Sequence, residues 1–79
     1  MNKEELLLII NEMCQDIFDL ENLSIKYSSS PNDIDEWDSL NHLNLISSIE
    51  TEFKIKFTFN EISSFKNIDS IIKTIQKKI

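Results

Sequence analysis

The sequence predicts a small all-α protein, a four-helix bundle with three principal helices, one short helix and a long loop after the first helix. Three observations support this class. The chain has only 79 residues, apolar residues recur at helical spacing in three segments, and the one alternating segment, residues 54–58, has no second strand to pair with. This length corresponds to a single domain, residues 1–79, since domains usually contain about 50 to 250 residues.

The first helix is expected over residues 3–19. Asn2 is a suitable N-cap, and Glu5 three residues later completes a capping-box pattern. Two adjoining apolar stripes predict a wide buried face, with Cys14 as a small buried hydrophobe. The stripes contain Leu6, Leu7, Ile9 or Ile10, Met13, Cys14, Ile17 and Leu20.

Residues 21–37 break the helical period and are expected to form a loop across the helix ends. Residues 28–33 are rich in side chains that bond their own backbone, which is typical of loops. Trp37 closes this segment between acidic residues. We expect it to plug the bundle, because its large apolar area needs cover; the alternative is an exposed anchor for a partner.

The second helix is expected over residues 39–53, with Asp38 as its N-cap. A short helical turn should begin at Thr58 or Asn60, and a last helix at Asn67 or Asp69. Every Phe and Met13 are expected in the core. The predicted buried stripe of the second helix is Leu40, Leu43, Ile46, Ile49 and Phe53, and the last helix carries Ile68, Ile71, Ile72, Ile75 and Ile79.

The composition excludes several classes of function. With a net charge of −6, no arginine and scattered lysines, the chain lacks the basic surface that binds nucleic-acid phosphates. Without glycine it has no phosphate-binding loop, and one Cys with one His cannot form a zinc site or an internal disulfide. No apolar segment approaches the roughly 20 residues of a membrane span. The residues before the longest apolar segment are acidic, whereas a signal peptide begins with basic residues. We expect a cytoplasmic monomer.

Charge is distributed unevenly along the chain. Residues 1–40 carry a net charge of −8, whereas residues 41–79 carry +2. The densest acidic segment, residues 33–38, immediately precedes the second helix. Such an anionic patch would steer a basic partner toward this end of the molecule.

Ser39 is the residue most suited to carry chemistry. It stands at the first turn of the second helix, where its hydroxyl should be exposed and where the positive helix end would favour an attached phosphate ester. A Ser39–His42 hydrolytic pair is the competing interpretation, since residues three apart share a helix face. The chain has no Gly-containing nucleophile elbow to support that pair.

The segment Asp38-Ser39-Leu40, after an acidic loop and before an apolar-patterned helix, resembles the acyl carrier proteins. The resemblance extends over nearly the whole chain, including its length, its acidity and the long loop. It implies that Asp38, Ser39 and Leu40 form an attachment site at which Ser39 carries 4′-phosphopantetheine. The arm's thiol would hold an acyl group as a thioester, so the protein would be a carrier and not an enzyme.

The same resemblance implies the partners. A phosphopantetheinyl transferase using coenzyme A would install the arm, and acyl-loading and acyl-using enzymes would dock beside it. The candidate docking residues are Asp35, Glu36, Asn41, His42, Asn44 and Glu50.

The sequence differs from fatty-acid-synthesis carriers in the charge of the second helix. Asn41, Asn44 and Thr51 occupy positions that are often acidic in those proteins. The Trp37-Asp38-Ser39-Leu40 motif is similar to that of stand-alone carriers in dedicated biosynthetic pathways, which we therefore favour. The alternatives are an aminoacyl, peptidyl or D-alanyl carrier and, from another class, an unmodified helical interaction module.

Overall fold

The fold consists of four α-helices and no strand in a computed structural model that describes all residues, 1–79. The helices are α1 (Lys3–Phe18), α2 (Ser39–Phe53), α3 (Phe59–Ser64) and α4 (Ile68–Lys78). α1 packs against both α2 and α4. The predicted class, three longer helices and a short one with a long loop after the first, is confirmed. None of the four helices has the length and apolarity needed to cross a bilayer.

A polar side chain caps the start of each helix. The Asn2 and Asp38 side chains each accept a hydrogen bond from the backbone N–H three residues later, at 2.8 Å. Reciprocal capping boxes form at α3 and α4. Only half of the capping box predicted at α1 is present, because the Glu5 side chain makes no return bond to the Asn2 N–H. The Asn2 N–H is exposed to water, so it does not need that acceptor.

Two helices end in a left-handed residue. Asp19 after α1 and Lys54 after α2 both have φ of 56°, and their N–H groups donate to the carbonyls of Gln15 and Glu50. Glycine usually takes this position, but the chain contains none. The left-handed turn at Asp19 ends α1 at Phe18, one residue before the predicted end.

The core is a single cluster of fifteen buried side chains, none of them polar or charged. Burial raises the pKa of the Cys14 thiol to about 12, so it remains protonated and behaves as the predicted small hydrophobe. The fifteen are Leu6, Ile10, Cys14, Phe18, Ile25, Ile34, Trp37, Leu45, Ile46, Ile49, Phe57, Ile68, Ile71, Ile72 and Ile75.

The predicted inner face of α2 is partly wrong. Leu40 and Leu43 are 68% and 57% exposed, whereas Leu45 is fully buried beside Ile46 and Ile49. α2 carries two apolar stripes on different faces, and the pattern alone does not determine which one meets α1. The face with Leu45 is buried, so Leu40 and Leu43 are left in solvent.

Phe59 and Ile79 lie outside the core, whereas the predicted core residues Met13, Phe53 and Phe65 are partly buried against it. Phe59 is 81% exposed, because it opens the short helix α3, which buries none of its residues. Ile79 is about half exposed after the last turn of α4. The apolar character of Phe59 and Ile79 therefore did not indicate burial.

The long loop is fixed to two helices. The Ile25 N–H donates to the Asn11 side chain, and the Gln15 side chain donates to the Leu23 carbonyl, both at 2.8 Å. Farther along, the Ile68 N–H donates to the Ser29 carbonyl at the start of α4. The loop thus crosses one helix end, as expected, but runs along the side of α1.

The burial difference on α2 gives a matched pair of substitutions. Leu45→Ala should lower the free energy of unfolding by about 2–5 kcal/mol, because it removes buried methyl groups and leaves a cavity. Leu43→Ala should change it by no more than about 0.5 kcal/mol, since that side chain is in solvent. Urea denaturation followed by circular dichroism measures both. Equal losses would contradict the observed orientation of α2.

Candidate functional site

The candidate site lies where the long loop meets α2. Ser39 is the first residue of α2 and is exposed, as predicted. Beside it is an open groove of about 480 Å³ between the loop, α2 and α3. The groove is lined by Pro31, Trp37, Asp38, Ser39, His42, Ile62, Ser63 and Phe65.

Hydrogen bonds of Asp38 build the helix start that carries Ser39. Its Oδ1 accepts from the Asn41 N–H, and its carbonyl accepts from the His42 N–H, each at 2.8 Å. The N–H groups of Ser39 and Leu40 lie ahead of the intrahelical ladder, where the helix dipole favours negative charge. The position is therefore suited to hold a phosphate ester. Leu40, predicted in the attachment site, is exposed and lies outside the groove.

Trp37 closes the floor of the groove. The residue is only 3% exposed, and the centroid of its ring lies 6.0 Å from that of Phe18 on α1. The predicted plug is confirmed, and the alternative of an exposed partner anchor is wrong. The buried indole needs an acceptor for its N–H, because buried polar groups left unpaired are costly.

His42 supplies that acceptor. Trp37 Nε1 donates to His42 Nδ1 at 3.0 Å, and the two rings lie 6.0 Å apart. Burial lowers the pKa of His42 below its ordinary value of 6.5. Because Nδ1 is engaged by Trp37, the geometry gives no support to a Ser39–His42 catalytic pair.

The two predicted docking asparagines engage polar groups of their own neighbourhood. Asn41 Nδ2 donates to the Glu36 carbonyl at 2.8 Å, which ties the first turn of α2 back to the loop. Asn44 Nδ2 donates to Asn41 Oδ1 at 3.2 Å. Both thus help to shape the surface around Ser39, and a docking role stays a prediction.

The predicted acidic docking residues separate into two places. Asp35 and Glu36 are exposed on the loop immediately before Asp38. Glu50 lies near the far end of α2, half-buried, where its Oε2 accepts from the Phe57 N–H at 2.9 Å. The structure therefore brings Asp35 and Glu36 toward Ser39, but not Glu50.

The wall formed by α3 was missed in the sequence. Ile62, Ser63 and Phe65 line the groove opposite α2. α3 is held by its partly buried Ile62 and by a 3.0 Å ion pair between Glu61 and Lys78 of α4. No sequence signal identifies this wall, because its proximity to Ser39 arises only from the packing of the chain.

These features define a small four-helix domain of the carrier type, with an exposed serine at the start of α2 beside an open groove. A comparison with solved structures supports this class. The chain matches the solution NMR structure of a holo acyl carrier protein from Geobacter metallireducens, with 38% sequence identity and a TM-score of 0.84. The match covers 91% of this chain and 83% of that one.

The chain therefore belongs to the acyl carrier protein family. Members of this family are carriers and not enzymes, and this protein is no exception. No protein-family model and no curated protein matches the sequence.

The capping carboxylate can be tested without altering Ser39. Asp38→Ala should lower the free energy of unfolding by about 1 kcal/mol, because the Asn41 N–H loses its acceptor. Asp38→Asn keeps an oxygen in that place and should retain most of the stability. Urea denaturation compares the three proteins. The predicted cap would be refuted by an Ala variant as stable as the wild type.

Proposed function

We propose that this protein carries an acyl group as a thioester on a 4′-phosphopantetheine arm attached to Ser39. The observation that carries the proposal is the exposed serine at the first residue of α2, in a chain 38% identical to a holo acyl carrier protein. The group loaded on the arm would pass between enzymes of a dedicated biosynthetic pathway.

The residues around Ser39 fit such an arm. Its hydroxyl is free to form a phosphodiester, and the start of a 15-residue helix favours the negative charge. The groove beside it offers about 480 Å³ of open space. The arm, when attached, supplies the thiol to which the acyl group is joined.

Attachment needs an enzyme and a donor of the arm. A phosphopantetheinyl transferase would bind coenzyme A and present its pantetheine-bearing phosphorus to Ser39. The Ser39 Oγ–P bond forms, the bond from phosphorus to 3′,5′-ADP breaks, and the hydroxyl proton passes to a base of the transferase. This chain contributes the placement of Ser39.

Charge near the site supports a docking role for the loop. Asp35 and Glu36 are exposed beside the capped start of α2, so they would steer a basic partner surface toward Ser39. Asn41, His42 and Asn44 would complete the contact, with Glu50 at its far edge. The partners are the transferase and the acyl-loading and acyl-using enzymes, which the carrier would meet in the cytoplasm.

The attachment site is tested by modification of the apo protein. A broad-specificity phosphopantetheinyl transferase and coenzyme A should add the mass of one 4′-phosphopantetheine group, measured by intact-protein mass spectrometry. Ser39→Ala should abolish the gain while lowering the free energy of unfolding by less than about 1 kcal/mol, since Asp38 is the cap.

The matched control is Ser24→Ala, which removes another exposed serine and should be modified like the wild type. Either of two results would reject the proposal. One is the absence of a mass gain in the wild type, and the other is a gain that survives Ser39→Ala.

The uncharged outer face of α2 supports a dedicated pathway. Most of its exposed residues have no charge, and the carboxylate of Glu50 is occupied by the Phe57 N–H. A partner that binds acidic side chains along the second helix would therefore make few such contacts here. Charge complementarity of this kind sets partner choice as well as the association rate.

Partner choice is tested with the fatty-acid enzymes of the host. They should elongate chains on the holo protein roughly tenfold or more slowly than on the host's own fatty-acid carrier, a difference of about 1.4 kcal/mol in recognition. Product analysis of parallel reactions measures the ratio. Efficient elongation on this protein would overturn the dedicated role and leave the carrier role intact.

A further inference from the structure

The turn that carries Ser39 is not held by apolar burial. None of the side chains of residues 39–44 is buried, and the first buried residue of α2 is Leu45. Leu40 and Leu43, the two apolar residues of this segment, both face solvent. Other contacts must therefore fix the first turn of α2 against the rest of the molecule.

Three side-chain hydrogen bonds cross from the loop to this turn. The Asn41 N–H donates to Asp38, and the Asn41 side chain donates to the Glu36 carbonyl, but both bonds are exposed. The third, which Trp37 Nε1 donates to His42 Nδ1, is partly buried, and the ring of its donor, Trp37, packs against Phe18. Water competes least with this third bond, so it is the firmest link between the turn and the core.

We propose that His42 is a positioning residue for Ser39: by accepting the hydrogen bond of the buried Trp37 indole, it holds the serine where a transferase can reach it. The inference rests on the proposed attachment at Ser39. In the sequence, Ser39 lies between the donor and the acceptor of this bond, two residues after Trp37 and three before His42. All three residues line the same groove. A shift of the His42 ring would therefore move the serine as well.

The bond requires a neutral histidine. An indole nitrogen only donates, so His42 Nδ1 must keep its lone pair and the ring proton must be on Nε2. Protonation would place two donors face to face and leave the buried indole N–H without an acceptor. The Ser39 turn is then expected to loosen as His42 becomes charged.

Few charged groups lie near His42 to stabilise its protonated form and so counteract this loosening. Asp38 is the only other titratable residue lining the groove, and the α3 wall opposite, Ile62, Ser63 and Phe65, carries no charge. On the side of α1, Trp37 meets the uncharged ring of Phe18. The burial that lowers the pKa of His42 agrees with a neutral ring in the folded state.

The sign of the pH dependence follows from this lowered pKa. The unfolded chain binds the proton more readily than the folded chain, so the contribution of His42 to stability is complete above about pH 6.5. It declines as pH falls from there through the lower pKa of the folded state. Ser39 should be presented least well in that acidic range.

Two substitutions separate the hydrogen bond from its titration. His42→Gln keeps an acceptor that has no proton to gain, and His42→Leu removes the acceptor. The control, Asp16→Asn, removes a charge from an exposed position on α1. Circular dichroism establishes that each variant is folded before it is assayed.

The first measurement uses the single tryptophan of the chain. Trp37 fluorescence and its indole N–H resonance should change below about pH 6.5 in the wild type and in Asp16→Asn. They should show no such step in His42→Gln. A pH-independent Trp37 signal in the wild type would overturn the proposal, whatever the result with the transferase.

The second measurement is kcat/KM for modification by a broad-specificity phosphopantetheinyl transferase, expressed relative to the wild type at each pH so that the enzyme's own pH dependence cancels. His42→Leu should fall about fivefold near pH 8, the order expected for one lost hydrogen bond. His42→Gln should be near the wild type there and should exceed it in acid. Asp16→Asn should stay within about twofold of the wild type throughout.

The two hypotheses fail in different ways. If the wild type is never modified, the proposed attachment at Ser39 fails and the positioning role fails with it. If the wild type is modified but His42→Leu and His42→Gln match it at every pH, only the positioning role of His42 is overturned.

Discussion

Burial of one apolar core by α1 and α4 is the constraint on which the rest of the structure depends. The two helices contribute eight of the fifteen buried side chains, and none of the fifteen belongs to a polar or charged residue. In a chain of this length the buried area is small, so little of it can be given up. α2 contributes one face to that core, and the loop contributes a few single residues.

The functional end of the molecule is built in a different way. Ser39 is on a turn with no buried side chain, and the links near it are polar: the Asp38 cap and the bond from Trp37 to His42. The proposed attachment at Ser39 requires a serine that is accessible to an enzyme and still fixed in direction. Polar links at a helix start meet both needs, because they hold the backbone without covering the hydroxyl. Stability and the proposed carrier function at Ser39 therefore depend largely on different residues.

The charge distribution also differs between two parts of the molecule, the loop before Ser39 and the exposed face of α2. The acidic excess of the first half of the chain is densest on the loop that leads to Ser39, whereas the exposed face of α2 beyond it is nearly uncharged. A partner would be attracted to the loop and then meet a surface that includes the exposed side chains of Leu40 and Leu43. Weak charge-steered contact suits a carrier that must leave each partner.

The sequence by itself determined the class and the helix order, and it singled out Ser39 as the proposed attachment site, since helical periods, caps and the motif at Asp38, Ser39 and Leu40 are local features. It also indicated that Trp37 would be covered, because so large an apolar ring costs too much in water. Only the tertiary structure decided which stripe of α2 is buried, that α3 forms a wall of the groove, and that His42 accepts the indole bond. Each of these depends on how helices rotate and meet, and the periodicity of one segment contains no information about the orientation of its neighbours.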